Sequence, residues 1–339
     1  MATIKDIAAR CGVSAATVSY VLNGKSEERH IKAETTKKVL RAAQELGYTL
    51  PKTVNQKPSN TQLKVLVLWP YSYPGQELMS IFSAAKDVKD QSSEPLDFTV
   101  KLFRMYDLES EWEYKEPDCF DLIIVYALTP KDMAFLSSAP HKCPIITINR
   151  RIRGCASVSM DNEAAGRLAC DLLFSACGKS VSAVLEEEFI MARSTRNQAF
   201  KQRAKELDIP LDKHTYFCSV NGSYEEGYRL ALDLICQGSM TKGIFFNQDH
   251  TAIGFLAAMQ KNGIQAGKDF YLLAAGLGSQ DLCRFNSPSI TALDMKLEEL
   301  TEKALLLGFD ILEGKTPVDT VVTLQPGIIF RNTLPNMEW

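Results

Sequence analysis

The chain has 339 residues, 45% of them hydrophobic and 23% charged, near globular averages, which excludes a disordered chain or a fibrous repeat and suggests about two domains. No apolar run reaches the roughly 18 residues that span a bilayer, and nine cysteines from Cys11 to Cys283 without a CxxC pair fit a reducing cytoplasm better than a disulfide framework or a zinc site. The net charge of −3 hides a split: residues 1–62 hold ten Lys/Arg against five Asp/Glu, and the remaining 277 hold 28 against 36, the pattern of a basic segment that meets polyanion joined to an acidic body.

The first residues, Met1-Ala-Thr-Ile-Lys-Asp6, lack a charged region followed by an apolar one, so export is not expected. Thr3 can cap a first helix, in which Ile4, Ile7, Ala8 and Cys11 recur at i, i+3, i+4 and i+7 and make one apolar stripe. Gly12-Val13 breaks it, and Ser14 caps a second helix whose buried face is Val18, Val21 and Leu22. Ala8, Gly12 and Val18 then fill the constrained places of a helix-turn-helix: a small residue at the crossing, a glycine in the turn, and a β-branched residue anchoring the second helix. A third amphipathic helix is predicted over Thr36–Leu46, ended by Gly47. In this geometry the second helix enters the major groove and exposes Ala15, Ala16, Ser19 and Tyr20. Thr3, Ser14, Thr17 and Asn23, with Lys25 and Arg29, are placed to hold phosphates.

A polar stretch with two prolines, residues 51–62, reads as a linker or hinge. Beyond it, apolar β-rich runs recur at residues 65–69, 98–103, 122–126, 145–148, 181–185, 216–220, 243–246 and 271–275, separated by helix-period stretches such as Asn162–Ser175 and Tyr224–Cys236. This alternation predicts α/β architecture with parallel sheets covered by helices on both faces. About eight strands fit two sheets better than one. Trp69, Tyr71 and Tyr73, clustered after the first run, are candidate stacking aromatics, with rim packing as the plainer reading.

The segments Thr3-Ile-Lys-Asp-Ile-Ala-Ala-Arg-Cys-Gly-Val-Ser-Ala-Ala-Thr-Val-Ser-Tyr-Val-Leu-Asn-Gly24 and Val39-Leu-Arg-Ala-Ala-Gln-Glu-Leu-Gly-Tyr48 closely resemble the DNA-binding headpiece of the LacI/GalR family. Weaker similarity continues at Asp161-Asn162, Arg196, Asp249–Gly254 and Ile328–Arg331. The resemblance implies an all-α helix-turn-helix headpiece (1–50), a hinge (51–62) and a two-subdomain sensor shaped like a periplasmic binding protein (63–339). One subdomain would span about 63–160 plus 292–321 and the other about 161–291 plus 322–339. It further implies a homodimeric, cytoplasmic repressor of carbohydrate-related genes. A small-molecule effector, a sugar or sugar phosphate, would bind between the subdomains, and the operator would be pseudo-palindromic.

Carried over residue by residue, the resemblance places Arg196 and Asp249 in the effector site, with Asn149-Arg150 standing where an Asp-Arg pair is expected. A guanidinium fork suits vicinal hydroxyls or an anion. The plainer readings are a solvated helix residue for Arg196 and a helix N-cap for Asp249. The family's stacking aromatic falls on Gly222, and Gly276–Ser279 offers no aspartate for sugar hydroxyls. In the hinge, Asn55, Lys57 and Pro58 replace an apolar wedge, so a minor-groove helix is not implied there.

Catalytic motifs fail. Gly276-x-Gly278 lacks a third glycine, neither Gly178-Lys-Ser180 nor Gly314-Lys-Thr316 has a glycine five residues earlier, and no GxSxG or HExxH occurs. Glu186-Glu-Glu188 reads as a solvated loop. No enzyme, cofactor, metal or membrane partner is expected. The competing readings are a soluble ligand-binding protein, or a sugar-kinase-like enzyme, fused to a DNA-binding module.

Overall fold

The computed structural model describes residues 4–22, 31–45, 62–73, 76–91, 96–112, 117–186, 191–219, 222–276 and 280–336. The chain divides into two compact units, Met1–Ser59 and Asn60–Trp339.

In the first unit the apolar stripes fold as their spacing predicts. Helices α1 (Ile4–Cys11), α2 (Ala15–Leu22) and α3 (Ala33–Glu45) close on a core of Ile7, Ala8, Cys11, Val18, Val21, Val39, Ala42 and Ala43. Gly12 takes φ +63, a left-handed turn that glycine adopts without cost, and the Val13 amide donates to the Ala8 carbonyl across it (3.2 Å). Ser14 caps α2, its Oγ accepting from the Thr17 amide (3.0 Å). The third helix starts three residues before the predicted Thr36.

The second unit alternates strand and helix: β1 (Leu63–Pro70), α4 (Gln76–Gln91), β2 (Leu96–Phe103), α5 (Leu108–Glu111), β3 (Leu122–Val125), α6 (Pro130–Ser138), β4 (Ile145–Ile148), β5 (Ala156–Met160), α7 (Asn162–Cys177), β6 (Val181–Glu186), α8 (Met191–Glu206), β7 (Thr215–Cys218), α9 (Tyr224–Gln237), β8 (Gly243–Phe246), α10 (Asp249–Lys261), β9 (Tyr271–Gly276), α11 (Gln280–Phe285), β10 (Thr291–Asp294), α12 (Leu297–Leu312), β11 (Val321–Leu324) and β12 (Gly327–Ile329). The strands form two six-stranded sheets, ordered β11-β5-β4-β3-β1-β2 and β12-β10-β9-β8-β6-β7. Among the described strand pairs, only β10–β12 is antiparallel. All eight predicted strands are present; β5, β10, β11 and β12 are additional.

Each sheet is buried on both faces, which explains its unbroken apolar runs. Val65 and Val67 of β1 pack toward α4 and α12, while Leu66 and Leu68 face a second cluster with Leu108 and Leu136. Ala183 and Phe245 pack toward α7 and α8, Val184 and Phe246 toward α9 and α10. Each fully buried side chain of this size contributes about 1.5–3 kcal/mol. The chain crosses between sheets after β5, β10 and β11. Parallel pairing brings the carboxyl ends of the strands to one edge of each sheet, the place where open α/β folds bind ligands.

The approach of α7 to α8 depends on Gly166. A Cβ there would lie 2.3 Å from the Arg196 carbonyl oxygen and 2.9 Å from the Phe200 nitrogen, both backbone atoms that no side-chain rotation can clear. Gly166→Ala is expected to lower stability by about 1–3 kcal/mol or more, read from the urea-unfolding midpoint. An unchanged midpoint would mean that the two helices are free to separate.

Candidate functional site

In the headpiece, α2 buries Val18 and Val21 and leaves Ala15 and Ala16 exposed, with Thr17, Ser19 and Tyr20 half-buried. The Ser14 hydroxyl is also paired with the Thr17 hydroxyl (2.8 Å). The helix presents a small, methyl-rich surface flanked by hydroxyls. Alanine can touch a thymine methyl but makes no hydrogen bond to a base edge, so Tyr20 and Ser19 are the polar side chains this surface offers. Thr3, Asn23, Lys25, Arg29 and the hinge residues Asn55, Lys57 and Pro58 lie outside the described residues.

In the second sheet the strand ends gather a buried polar cluster. Arg196, on α8, is only 1% exposed, which overturns the reading of a solvated helix residue. Its Nε donates to Asn247 Oδ1 and its Nη2 to the Asn247 carbonyl (3.2 Å). Asn247 Nδ2 in turn donates to Glu186 Oε2 (2.5 Å), which also accepts from Asn197 Nδ2 (3.3 Å). Glu186 ends β6 and is buried, so it does not belong to the solvated loop expected from its two acidic neighbours. Its burial had no sequence signal apart from its place at the carboxyl end of an apolar run. The Asn197 Oδ1 atom is buried and makes no hydrogen bond.

Asp249 is buried as the first residue of α10, whose N-cap is Gln248, so Asp249 is not the cap. Its carboxylate accepts from the His250 amide (2.9 Å) and sits 3.1 Å from His250 Nδ1. Burial first, and then the negative charge of Asp249, push the Cys283 thiol up to about 12. Gly222 takes φ +53, and a Cβ there would lie 2.5 Å from Gln248 Oε1. At the place expected for a stacking aromatic, the side chains of Gln248 and Thr251 lie against this glycine instead.

At the carboxyl edge of the first sheet, Trp69 is 2% exposed and its ring is enclosed by Tyr73 (5.7 Å, T-shaped) and Tyr126 (5.2 Å, tilted). Of the three clustered aromatics, Tyr71 stays 61% exposed. The Tyr126 hydroxyl pairs with Thr301 Oγ1 (2.7 Å), and burial pushes its pKa well above the ordinary value. Asn149 stands in a left-handed conformation (φ +56), its Oδ1 accepting from the Met160 amide (2.8 Å). Arg150 is buried and donates to the carbonyls of Leu128 and Asn149 (both 2.7 Å). The structure thus joins Arg196 to Asn247 and Glu186, and Trp69 to Tyr73 and Tyr126. Among the described residues there is no group of three or more His, Cys, Asp or Glu able to hold a metal, and no helix is long and apolar enough to cross a membrane.

Residues 3–50 match the family described as bacterial regulatory proteins, lacI family, and residues 188–334 match the periplasmic binding protein-like domain. The chain thus carries a lacI-family helix-turn-helix domain and a periplasmic binding protein-like domain. The chain is 27% identical to the HTH-type transcriptional repressor MelR of Bacillus subtilis (strain 168), over 98% of its own length and 97% of that protein. A LacI family transcription regulator from Clostridium acetobutylicum shares its fold with a TM-score of 0.75 at 21% identity, over 80% of this chain and 100% of that one. The Lac repressor dimer bound to operator and the anti-inducer ONPF gives 0.69 at 17% identity, over 99% of each chain. The chain is accordingly a DNA-binding transcriptional regulator whose headpiece is followed in sequence by an α/β effector-binding domain.

The Arg196–Asn247 contact predicts a specific failure. Asn247→Leu keeps the volume but removes the acceptor of the buried Arg196 Nε and the donor to Glu186, at a cost of about 1–3 kcal/mol or more, measurable by chemical unfolding. Unchanged stability would show that other partners hold Arg196 alone.

Proposed function

We propose that the chain is a homodimeric repressor that reads a pseudo-palindromic operator with α2 and releases or grips it according to a small effector bound at the strand ends of the second unit. The observation that carries the DNA half is the exposed Ala15–Ala16 surface of α2, bordered by Ser19 and Tyr20, on a helix anchored by Val18 and Val21. Phosphate contacts are assigned to Ser14 and Thr17, with Thr3, Asn23 and Arg29 by resemblance. Repression is proposed by analogy with MelR. Catalysis forms no part of this proposal.

The effector site is assigned to Arg196, Asp249, Asn149, Trp69 and Tyr71. Their support is chemical: a cleft that senses a carbohydrate-like molecule needs fixed, desolvated hydrogen-bonding groups, and Arg196, Asn247 and Glu186 are held that way. For Trp69 the enclosed ring favours an indole N–H contact over stacking.

The dimer contact is assigned to α4 and the edge strand β2. Met79 and Phe82, three residues apart on α4, are exposed, as is Leu102 of β2, and Phe82 lies against Phe98 (6.1 Å). Phe98, Val100 and Leu102 alternate onto one face of the strand, so the apolar surface is continuous across helix and edge. A second copy covering it would remove an aggregation-prone edge.

Three substitutions separate these roles, with DNA binding followed by fluorescence anisotropy on a duplex selected by the full chain from a random-sequence pool. Tyr20→Ala is expected to weaken specific binding by about 1–3 kcal/mol; unaltered affinity would remove Tyr20 from base reading. Phe82→Asp should turn the dimer into a monomer in sedimentation and weaken operator binding with it, and a persistent dimer would refute the assigned face. Arg196→Ala should spare DNA binding and abolish the effector response, so a retained response would refute the site.

A further inference from the structure

Taking the effector site as assigned above, its two sides differ in the hydrogen-bonding groups they leave open. On the first sheet the open groups are donors. Trp69 Nε1 is buried and makes no hydrogen bond, although leaving a buried donor unsatisfied is costly. Packing accounts for the ring, which fills the space between Tyr73 and Tyr126, and phenylalanine would fill much of it without that penalty. At the end of β4, Asn149 spends its Oδ1 on the Met160 amide, which leaves its Nδ2 as the open group. The β3 strand, ending beside Tyr126, lies between β1 and β4, so both donors stand on one strand-end edge. The guanidinium of Arg150, fixed by two carbonyls, adds positive charge beside Asn149.

On the second sheet the balance reverses. Asn197 Oδ1 is a buried acceptor without a hydrogen bond, and the carboxylates of Glu186 and Asp249 are buried nearby in the fold, at the ends of β6 and β8. Hydroxyl groups suit that side, because they donate to carboxylate and amide oxygens. An acceptor-only group suits the other.

We propose that the effector is a sugar acid, a polyhydroxylated carboxylate whose carboxylate is received by the Trp69 indole N–H and the Asn149 amide while its hydroxyls are read by the polar cluster around Glu186, Arg196 and Asn197. Trp69 acts here as a hydrogen-bond donor and Asn149 as the residue that sets the sign of charge accepted. Aspartate at 149 would keep the oxygen that binds the Met160 amide and tolerate the left-handed backbone, yet place a negative charge where the carboxylate docks.

The test is calorimetric titration of the full-length protein with two matched pairs, glucose against glucuronate and galactose against galacturonate, at equal ionic strength. At least one acid should bind about tenfold or more tightly than its neutral partner, since hydrogen bonds to a charged acceptor are worth about 1.5–3 kcal/mol. Asn149→Asp should erase that preference while circular dichroism and the melting temperature stay near those of the parent. Trp69→Phe should weaken the acid about tenfold and leave the neutral sugar within about threefold. The proposal is overturned if neither acid binds, if the neutral partners bind as well, or if Asn149→Asp keeps the preference. If an acid binds and Arg196→Ala does not affect it, the site assignment itself fails instead.

Discussion

The burial of one guanidinium organises the second unit. A cation with 1% exposure is tolerated only where its donors are met, because an unpaired buried charge costs several kcal/mol. Arg196 is met by the side chain and the backbone of Asn247, fifty-one residues away, and Asn247 is held by Glu186. Three elements, α8, β8 and β6, are therefore fixed against one another at the edge where the strands end. The fit requires α7 to lie against the α8 backbone, which Gly166 permits. A polar cluster cross-linked in this way is positioned before any ligand arrives, and fixed placement of a few polar groups is what discriminating small-molecule sites need.

The headpiece is built on a different economy of forces. Eight small or medium apolar side chains hold three short helices, and the turn at Gly12 and the cap at Ser14 fix the angle at which α2 is displayed. Such a core leaves one whole helix face available. The local excess of positive charge in residues 1–62, against an acidic remainder, gives the two units opposite electrostatic preferences, so that polyanion is drawn to one part of the chain and repelled by the other. Regulation needs that separation, because the surface reading DNA must differ from the surface reading the effector.

Legibility in the sequence followed the range of the interactions involved. Runs such as Leu122–Val125 and Ile145–Ile148 declare themselves because central parallel strands are apolar on both faces. Ala156–Met160 alternates with serine, and Val321–Leu324 and Gly327–Ile329 are short and half-exposed; these take their strand identity from a neighbour far along the chain. The helix-turn-helix was legible for the opposite reason, since Ala8, Gly12, Ser14 and Val18 act on one another within ten residues. For the proposed effector site, residue types pointed to Arg196 and Asp249, but the burial of Arg196, the enclosure of Trp69 and the pairing of Glu186 with Asn247 depend on contacts across the sheet. Gly222 and Gln248 illustrate the point: they lie 26 positions apart in the chain, and only the fold brings the Gln248 side chain against Gly222.

A salt titration of the full-length chain on its selected duplex and on an unrelated one tests most directly that a basic reading unit and an acidic sensing unit share this chain. The account predicts that the logarithm of specific affinity falls linearly with the logarithm of salt, losing about 10³–10⁵ between about 50 and 200 mM if six to ten phosphates are contacted, and that the selected duplex stays the tighter partner throughout. Affinity independent of salt, or equal for the two duplexes at every concentration, would contradict it.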